Sequence, residues 1–375
     1  MLERFLVPKE DQVLIDSESM TAATKEIFMK MGLSEDDSQL SAEVLMVSDL
    51  RGCESHGVSN MLRNYVQYFN EGSANPRPNW KITRETESCA TVDSDKGLGV
   101  VVVPLCMEIA IEKAKKTGVG LVSIGNGRHL GMAAYHAMMA LDHDMIGTCM
   151  TSSTTNVVPT HAAIPGIGTN PIAVAAPALK KAPFVFDAAT SAIATNKVRV
   201  AQRIGVPLAP GWITDEKGNP IMVDTPLKQS DDPNDVAGIM QTPVGATREL
   251  GSHKGFSLGM VVDILGSILN GSLAGPLRTF KAHQNHFVAA YSIDAFTELN
   301  KFKEMMDEYL QILEDLPPVE GQKRVLYAGL MEEETTIERM EKGIPLHPEV
   351  VNWFKDICSE LSINFDITGE GVGDA

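Results

Sequence analysis

Between Gly57 and Asn70, large apolar side chains recur at Val58, Met61, Leu62, Tyr65, Val66 and Phe69. The spacing i, i+3, i+4, i+7, i+8, i+11 is that of an amphipathic helix with one packed stripe. Directly ahead of it stand Ser55, His56 and Gly57. A titratable ring at this point is anchored by the packed stripe yet faces away from it. Such a histidine is either a satisfied structural group or a reactive one, because its ordinary pKa lies close to neutrality. The rest of the chain has to weigh the two.

The 375 residues suffice for two domains, or one large domain with an elaboration. A net charge of −17 argues against a nucleic-acid or anionic-membrane partner, and it obliges any anionic substrate to find a local basic patch. Five scattered cysteines without a CxxC pair fit a reducing cytoplasm and give no disulfide framework or metal centre. Glu3, Arg4, Lys9, Glu10 and Asp11 leave no room for the apolar core of a signal peptide. The most apolar run, 256–273, is broken by Asp263 and Asn270 and reads as a buried helix, not a membrane span.

Three helices are expected first: 17–31 capped by Ser17 or Ser19, 34–50 opened by the Ser34/Asp37 pair, and 55–69. After the prolines at 76 and 78, two short strands fit 80–92 and a long helix 97–117. Strand and helix patterns then alternate: strands at 119–124, 145–150, 172–176 and 184–186, helices at 131–143 and 190–204. The irregular stretch 207–243, with the acidic Asp231-Asp232-Pro233 run, reads as a site-lining loop. A strand at 286–293, a helix at 295–313, a strand at 324–328, helices at 332–342 and 348–361 and a glycine-rich tail complete the pattern.

Several groups stand where chemistry is built. Gly125, Gly127 and Gly131 form GxGxxxG between a strand and a helix, but a dinucleotide fingerprint needs GxGxxG and an acid after the next strand. Thr151 to Thr154 stand there instead, which argues against a Rossmann reading. His129 lies within that turn, at a helix N-terminus that disfavours an imidazolium. Asp187 ends an apolar strand, either as a site carboxylate or as the cap of the next helix. Lys254, between Gly251 and Gly255 at a helix start, suits an anion. Arg199 and Arg203 suit either a 2′-phosphate or a solvated helix face, the latter being the simpler assignment.

Five stretches carry a resemblance: DLRGCESHGV (49–58), NGRHLGMAAY (126–135), IGTNPIAVAAP (167–177), FVFDAATS (184–191) and GSHKGFSLGMVVDILGSILNG (251–271). In this order they resemble the malate/L-lactate dehydrogenase family that is unrelated to classical lactate dehydrogenase. Its members include ureidoglycolate, sulfolactate and diketogulonate dehydrogenases and a cyclic imino-acid reductase. The resemblance implies a non-Rossmann α/β fold: a mixed-sheet α/β layer (76–302) with a helical domain from N-terminal (1–75) and C-terminal (303–375) segments. It implies NAD or NADP as cofactor, a 2-hydroxy or 2-oxo acid as substrate, and a homodimer. The family's catalytic histidine falls on His56, with Ser55 and Asp187 as relay partners; in some members the acid–base role goes to the position of His129. Cofactor contacts fall on His129, Leu130, Phe186, Asp187, Ala188, His253, Lys254 and Gly329, and substrate contacts on Thr169 and Asn170.

Two departures bear on the site. The family has arginine four residues after the SHG histidine, to grip a substrate carboxylate, where this chain has Asn60; Arg63, one turn on, is the candidate substitute. Around Gly329 a proline–glycine–glutamate run is replaced by Tyr327-Ala328-Gly329-Leu330-Met331. Oxidising a secondary alcohol needs a base for the hydroxyl proton, and histidine with a pKa of roughly 6.5 suits that role. The competing readings are a cyclic imino-acid reductase and a nucleotide-binding relative without turnover.

Overall fold

The computed structural model describes residues 3–227, 238–278 and 283–364. The acidic 231–233 run and the glycine-rich tail lie outside the described residues.

A short strand β1 (Val13–Ile15) precedes helices α1 (Ser17–Lys30), α2 (Glu35–Leu50) and α3 (Val58–Asn70). Asp16, rather than Ser17 or Ser19, caps α1 by accepting the Ser19 amide at 2.8 Å. Ser34 caps α2 as its spacing predicts, accepting from Asp37 N at 3.1 Å. The α3 helix has no cap from its own sequence. Asp49, at the end of α2, reaches across and accepts the Val58 amide at 2.7 Å. That carboxylate packs so closely on Gly57 that a β-carbon there would stand 2.0 Å from Asp49 Oδ1. The SHG glycine is therefore fixed by a collision, and Gly57→Ala should cost about 1–3 kcal/mol of stability as well as displace His56. A lower urea midpoint at unchanged slope is the expected reading; an unchanged midpoint would mean that the α2–α3 joint gives way freely.

The central sheet contains β2 (Lys81–Glu85), β3 (Cys89–Asp93), β4 (Val119–Gly127) and β5 (Met145–Ser152), separated by helices α4 (Gly99–Thr117) and α5 (Ala133–Met138). A two-stranded ladder of β6 (Thr155–Val157) and β7 (Ile167–Gly168) follows, then β8 (Ile172–Ala176), β9 (Phe184–Ala188), helices α6 (Thr195–Arg203) and α7 (Ser252–Gly266), and β10 (Gln284–Ser292). The strand order is β2-β3-β4-β10-β5-β8-β9. Only β3 and β4 run parallel; every other pair in that sheet is antiparallel. A Rossmann unit needs successive parallel strands joined by helices, so this sheet is of a different kind. Gly125 and Gly127 lie inside β4, and Gly127 packs against Gln284 and His286 of β10.

Helices α8 (Leu299–Glu314), α9 (Leu330–Lys342) and α10 (Pro348–Glu360) end the described chain, with β11 (Ile344–Leu346) before α10. β11 pairs antiparallel with β1. Arg339 of α9 donates to Asp49 O at 2.6 Å and pairs with buried Glu54 at 3.1 Å. Glu349 receives both Arg63 and Arg203 at 2.7 Å. The end of the chain thus clamps the 49–56 loop that carries His56.

Some expectations fail in instructive ways. The 324–328 stretch is not a strand, the 131–143 helix shrinks to α5 with a 3-10 turn at Leu141–His143, and α6 starts five residues late. The apolar run at 256–273 is not a buried helix. α7 turns Gly255, Gly259 and Gly266 inward, while Leu258, Met260, Val261 and Ile264 face outward. Small residues make its packed face because Thr190 and Ile167 press against Gly259. No described helix is long and apolar enough to cross a membrane.

Candidate active site

His56 and His129 meet in a cleft of 240 Å³, walled by α3, the loop after β4, the 151–156 segment and α6. Their rings stack with centroids 5.7 Å apart and 19° between planes. Each ring is held from behind. Ser55 Oγ lies 2.9 Å from His56 Nδ1, and the Ser55 carbonyl accepts from Asn196 Nδ2 of α6 at 2.6 Å. His129 Nδ1 accepts the Gly131 amide at 3.0 Å and lies 2.8 Å from the Tyr65 hydroxyl. Beneath, His286 Nε2 donates to Arg128 O at 2.9 Å and fixes the loop that presents His129.

The surroundings keep both rings neutral. Burial pushes His56 down to about 4, helped by the Lys197 ammonium. Burial also holds His129 well below its ordinary value, with His56, His286, Arg199 and His136 acting in the same sense. Lys197 lies 6.0 Å from the Trp212 ring, and burial lowers its pKa. One turn along α6 from Asn196, Arg199 lines the cleft and donates to Asn196 Oδ1 at 2.9 Å. A stacked pair of neutral imidazoles beside a guanidinium, in an acidic protein, is built for a small anion that exchanges a proton.

The sequence pattern of the malate/L-lactate dehydrogenase family matches residues 15–355. The chain belongs to this family. It is 36% identical over 359 residues to malate dehydrogenase from Pyrococcus abyssi, covering 94% of this chain and 96% of that protein. L-sulfolactate dehydrogenase from Methanocaldococcus jannaschii is 30% identical, covering 91% of this chain and 95% of its own. The solved structure of malate dehydrogenase from Pyrococcus horikoshii superposes with a TM-score of 0.85 at 30% identity, over 96% of this chain and 99% of that one.

Residues that the family resemblance assigns to the site fall into two groups. Asp187 ends β9 and accepts the Ala134 amide at 2.7 Å, so it caps α5, the helix that follows His129. It forms no hydrogen bond to His56 among the described residues, so the Ser55–His56 half of the relay is joined and the Asp187 half is not. Desolvation by the surrounding protein pushes its pKa up to about 6, although the residue is exposed on the edge strand of the sheet. Phe186 beside it is 38% exposed, with Ala188 half-buried. Gly329 reaches the same edge, since Val185 N donates to Ala328 O at 3.0 Å. α7 begins beside the segment after β9, where Val244 N donates to Thr190 O at 3.0 Å; Lys254 is exposed there, and His253 Nδ1 accepts from Arg248 at 2.9 Å. Leu130 and Thr169 line the histidine cleft directly.

The second group points elsewhere. Asn60 is buried and donates to Glu54 O at 2.6 Å. Arg63 is taken up by Glu349 and stacks over Trp353, 4.9 Å from its centroid. Asn170 is buried, bonding Ser153 N and Gly259 O. Arg203 belongs with Glu349. The guanidinium that lines the cleft is that of Arg199, which the sequence offers, with Arg203, for either a 2′-phosphate or a solvated helix face. Asn196 and Arg199 stand three apart after the DAATS stretch, a spacing that puts both on one helical face and was the available signal.

A nicotinamide nucleotide fits these residues. Asn156 lines the cleft and Gln241 is buried; both donate to the Thr195 hydroxyl, and each leaves a buried carbonyl oxygen with no hydrogen-bond partner among the described residues. A carboxamide NH₂ is the kind of donor that the Asn156 oxygen lacks.

Proposed function

We propose that the protein interconverts a small 2-hydroxy acid and its 2-oxo acid, with NAD or NADP as redox partner. The observation that carries this reading is the convergence of His56, His129 and Arg199 on one small cleft. Arg199 grips the substrate carboxylate, taking the part that Asn60 leaves vacant. His56 takes the hydroxyl proton during oxidation and returns it during reduction, with Ser55 Oγ following the change at Nδ1. Phe186–Ala188, Gly329 and the start of α7 would hold the nucleotide, which when bound would supply or take up the hydride. Asp187 suits the ribose hydroxyls, and Lys254 a phosphate. Following nicotinamide absorbance with a panel of oxaloacetate, pyruvate, a sulfonated 2-oxo acid and a cyclic imino acid tests this. Turnover of the imine alone would assign the reductase reading; binding of nucleotide with turnover of nothing would leave a non-catalytic relative. The free cysteines and the absence of a disulfide among described residues suit the cytoplasm.

The outward face of α7 supports a homodimer. Ile264 is 48% exposed, and Ile268, Leu269, Leu273 and Leu277 continue the same apolar surface. Surfaces of this kind are commonly covered by a partner, and a second copy satisfies it by symmetry. Ile264→Glu should convert a dimer into a monomer in sedimentation. A wild-type chain that sediments as a monomer at micromolar concentration would sink the idea.

A further inference from the structure

The two histidines face the same cleft, but their second nitrogens are held differently. The Gly131 amide points at His129 Nδ1 from 3.0 Å, and a backbone N–H can only donate. Nδ1 must therefore carry a lone pair, which places the ring proton on Nε2. The Tyr65 hydroxyl, 2.8 Å from the same atom, must donate as well. Tyr65 is fully buried, and burial holds its phenol above the ordinary range, so it keeps that proton. With two donors aimed at Nδ1, an imidazolium would put an N–H against an N–H. No facing group relieves this: the groups acting on His129 are His56 from the loop before α3, Arg199 from α6, His136 from α5 and His286 from β10. His136 and His286 each donate from Nε2 to a carbonyl, Leu130 O and Arg128 O.

His56 has no such restriction. Its Nδ1 meets a hydroxyl, Ser55 Oγ, which donates to a neutral ring and accepts from a charged one.

We infer that Tyr65 and the Gly131 amide lock His129 as a donor-only imidazole, leaving His56 as the sole proton carrier of the site. This rests on the dehydrogenase reading. In reduction the carbonyl carbon receives the hydride and its oxygen receives the His56 proton, leaving His56 neutral. Meanwhile His129 Nε2–H holds that oxygen by a hydrogen bond and loses nothing. A neutral histidine used as an electrophile in this way is known chemistry. Tyr65 is then a positioning residue that acts through His129.

Two experiments separate this assignment from the reading on which it rests. Nitrogen-15 NMR of the full-length protein, with His129 assigned from His129→Gln, reads the tautomer without turnover. The expected result is an Nε2–H ring that does not titrate between about pH 5 and 9, and a shifted Nδ1 signal in Tyr65→Phe. An Nδ1–H ring, or titration in that range, overturns the lock whether or not a substrate has been found. Kinetics test the division of labour. Glutamine offers a donor near the Nε2 position but no base, so His129→Gln should keep kcat within about tenfold, whereas His129→Ala loses about 10²–10³. The His56-governed pH limb should remain in both. Tyr65→Phe should lower kcat several-fold at unchanged cofactor KM. Equal losses in the glutamine and alanine variants would make His129 a proton carrier. A Tyr65→Phe enzyme with normal kcat and only a lower Tm would make Tyr65 merely structural.

Discussion

His56→Ala should reduce kcat by about 10²–10⁴ while nucleotide affinity and thermal stability stay close to wild type. The ring is half-buried in the cleft wall, and its one hydrogen-bond partner among described residues is Ser55 Oγ, so its loss opens space without unfolding the α2–α3 joint. The pH profile gives the sign. Oxidation needs the neutral ring, so its rate falls as pH drops through the His56 pKa; reduction needs the charged ring and falls as pH rises through it. Burial and Lys197 hold that pKa near 4 in the ligand-free protein. Lys197→Met removes the repelling ammonium and should move both limbs to higher pH. An alanine variant with near-normal kcat, or a Lys197 variant whose limbs move down, would displace His56 from this role.

Arg199→Ala should lower kcat/KM for 2-oxo acids by about 10–150-fold, the worth of a charge-assisted pair at roughly 1.5–3 kcal/mol. The loss belongs mostly in substrate KM, because the carboxylate is held alike before and during reaction. Arg199→Lys should recover part of it, since an ammonium keeps the charge but not the planar fork. An unchanged KM in Arg199→Ala would return the carboxylate to another donor. Asn60→Arg offers no simple repair: its side chain is buried against Glu54 O and faces the Arg203 guanidinium at 3.4 Å.

Local pattern carried the strands of the central sheet, while the fold class came from the family motifs. The α3 stripe and the runs of β4, β8 and β9 declare their conformations within a few residues. What the sequence hid was long-range. β1 and β11 are three residues each and exist only as a pair, so neither has a period to read. The cap of α3 comes from Asp49 on another helix, where no capping rule looks. α7 has an apolar pattern, but which side it buries depends on what Ile167 and Thr190 leave room for. The site shows the same division. His56, His129 and Leu130 stand out by their motifs and do meet at one cleft, with Ser55 holding His56 from behind. Arg63 is the sequence's candidate for the substrate carboxylate and Arg199 reads as a solvated helix residue, but Glu349 on α10 pairs with Arg63 while Arg199 lines the cleft.

The clamp from the C-terminal helices has a consequence for how the enzyme is born. Arg339 is the cation paired with Glu54, Glu349 gathers Arg63 and Arg203, and β1 has no ladder until β11 exists. On a ribosome, the loop bearing His56 emerges early and then waits for nearly the whole chain. Until then Glu54 has no counter-ion to be buried against, and burying it unpaired would be strongly unfavourable. The loop that carries His56 is therefore expected to stay unset until α9 and α10 arrive, and synthesis that stops short of them is expected to yield a chain with the sheet encoded but that corner left open.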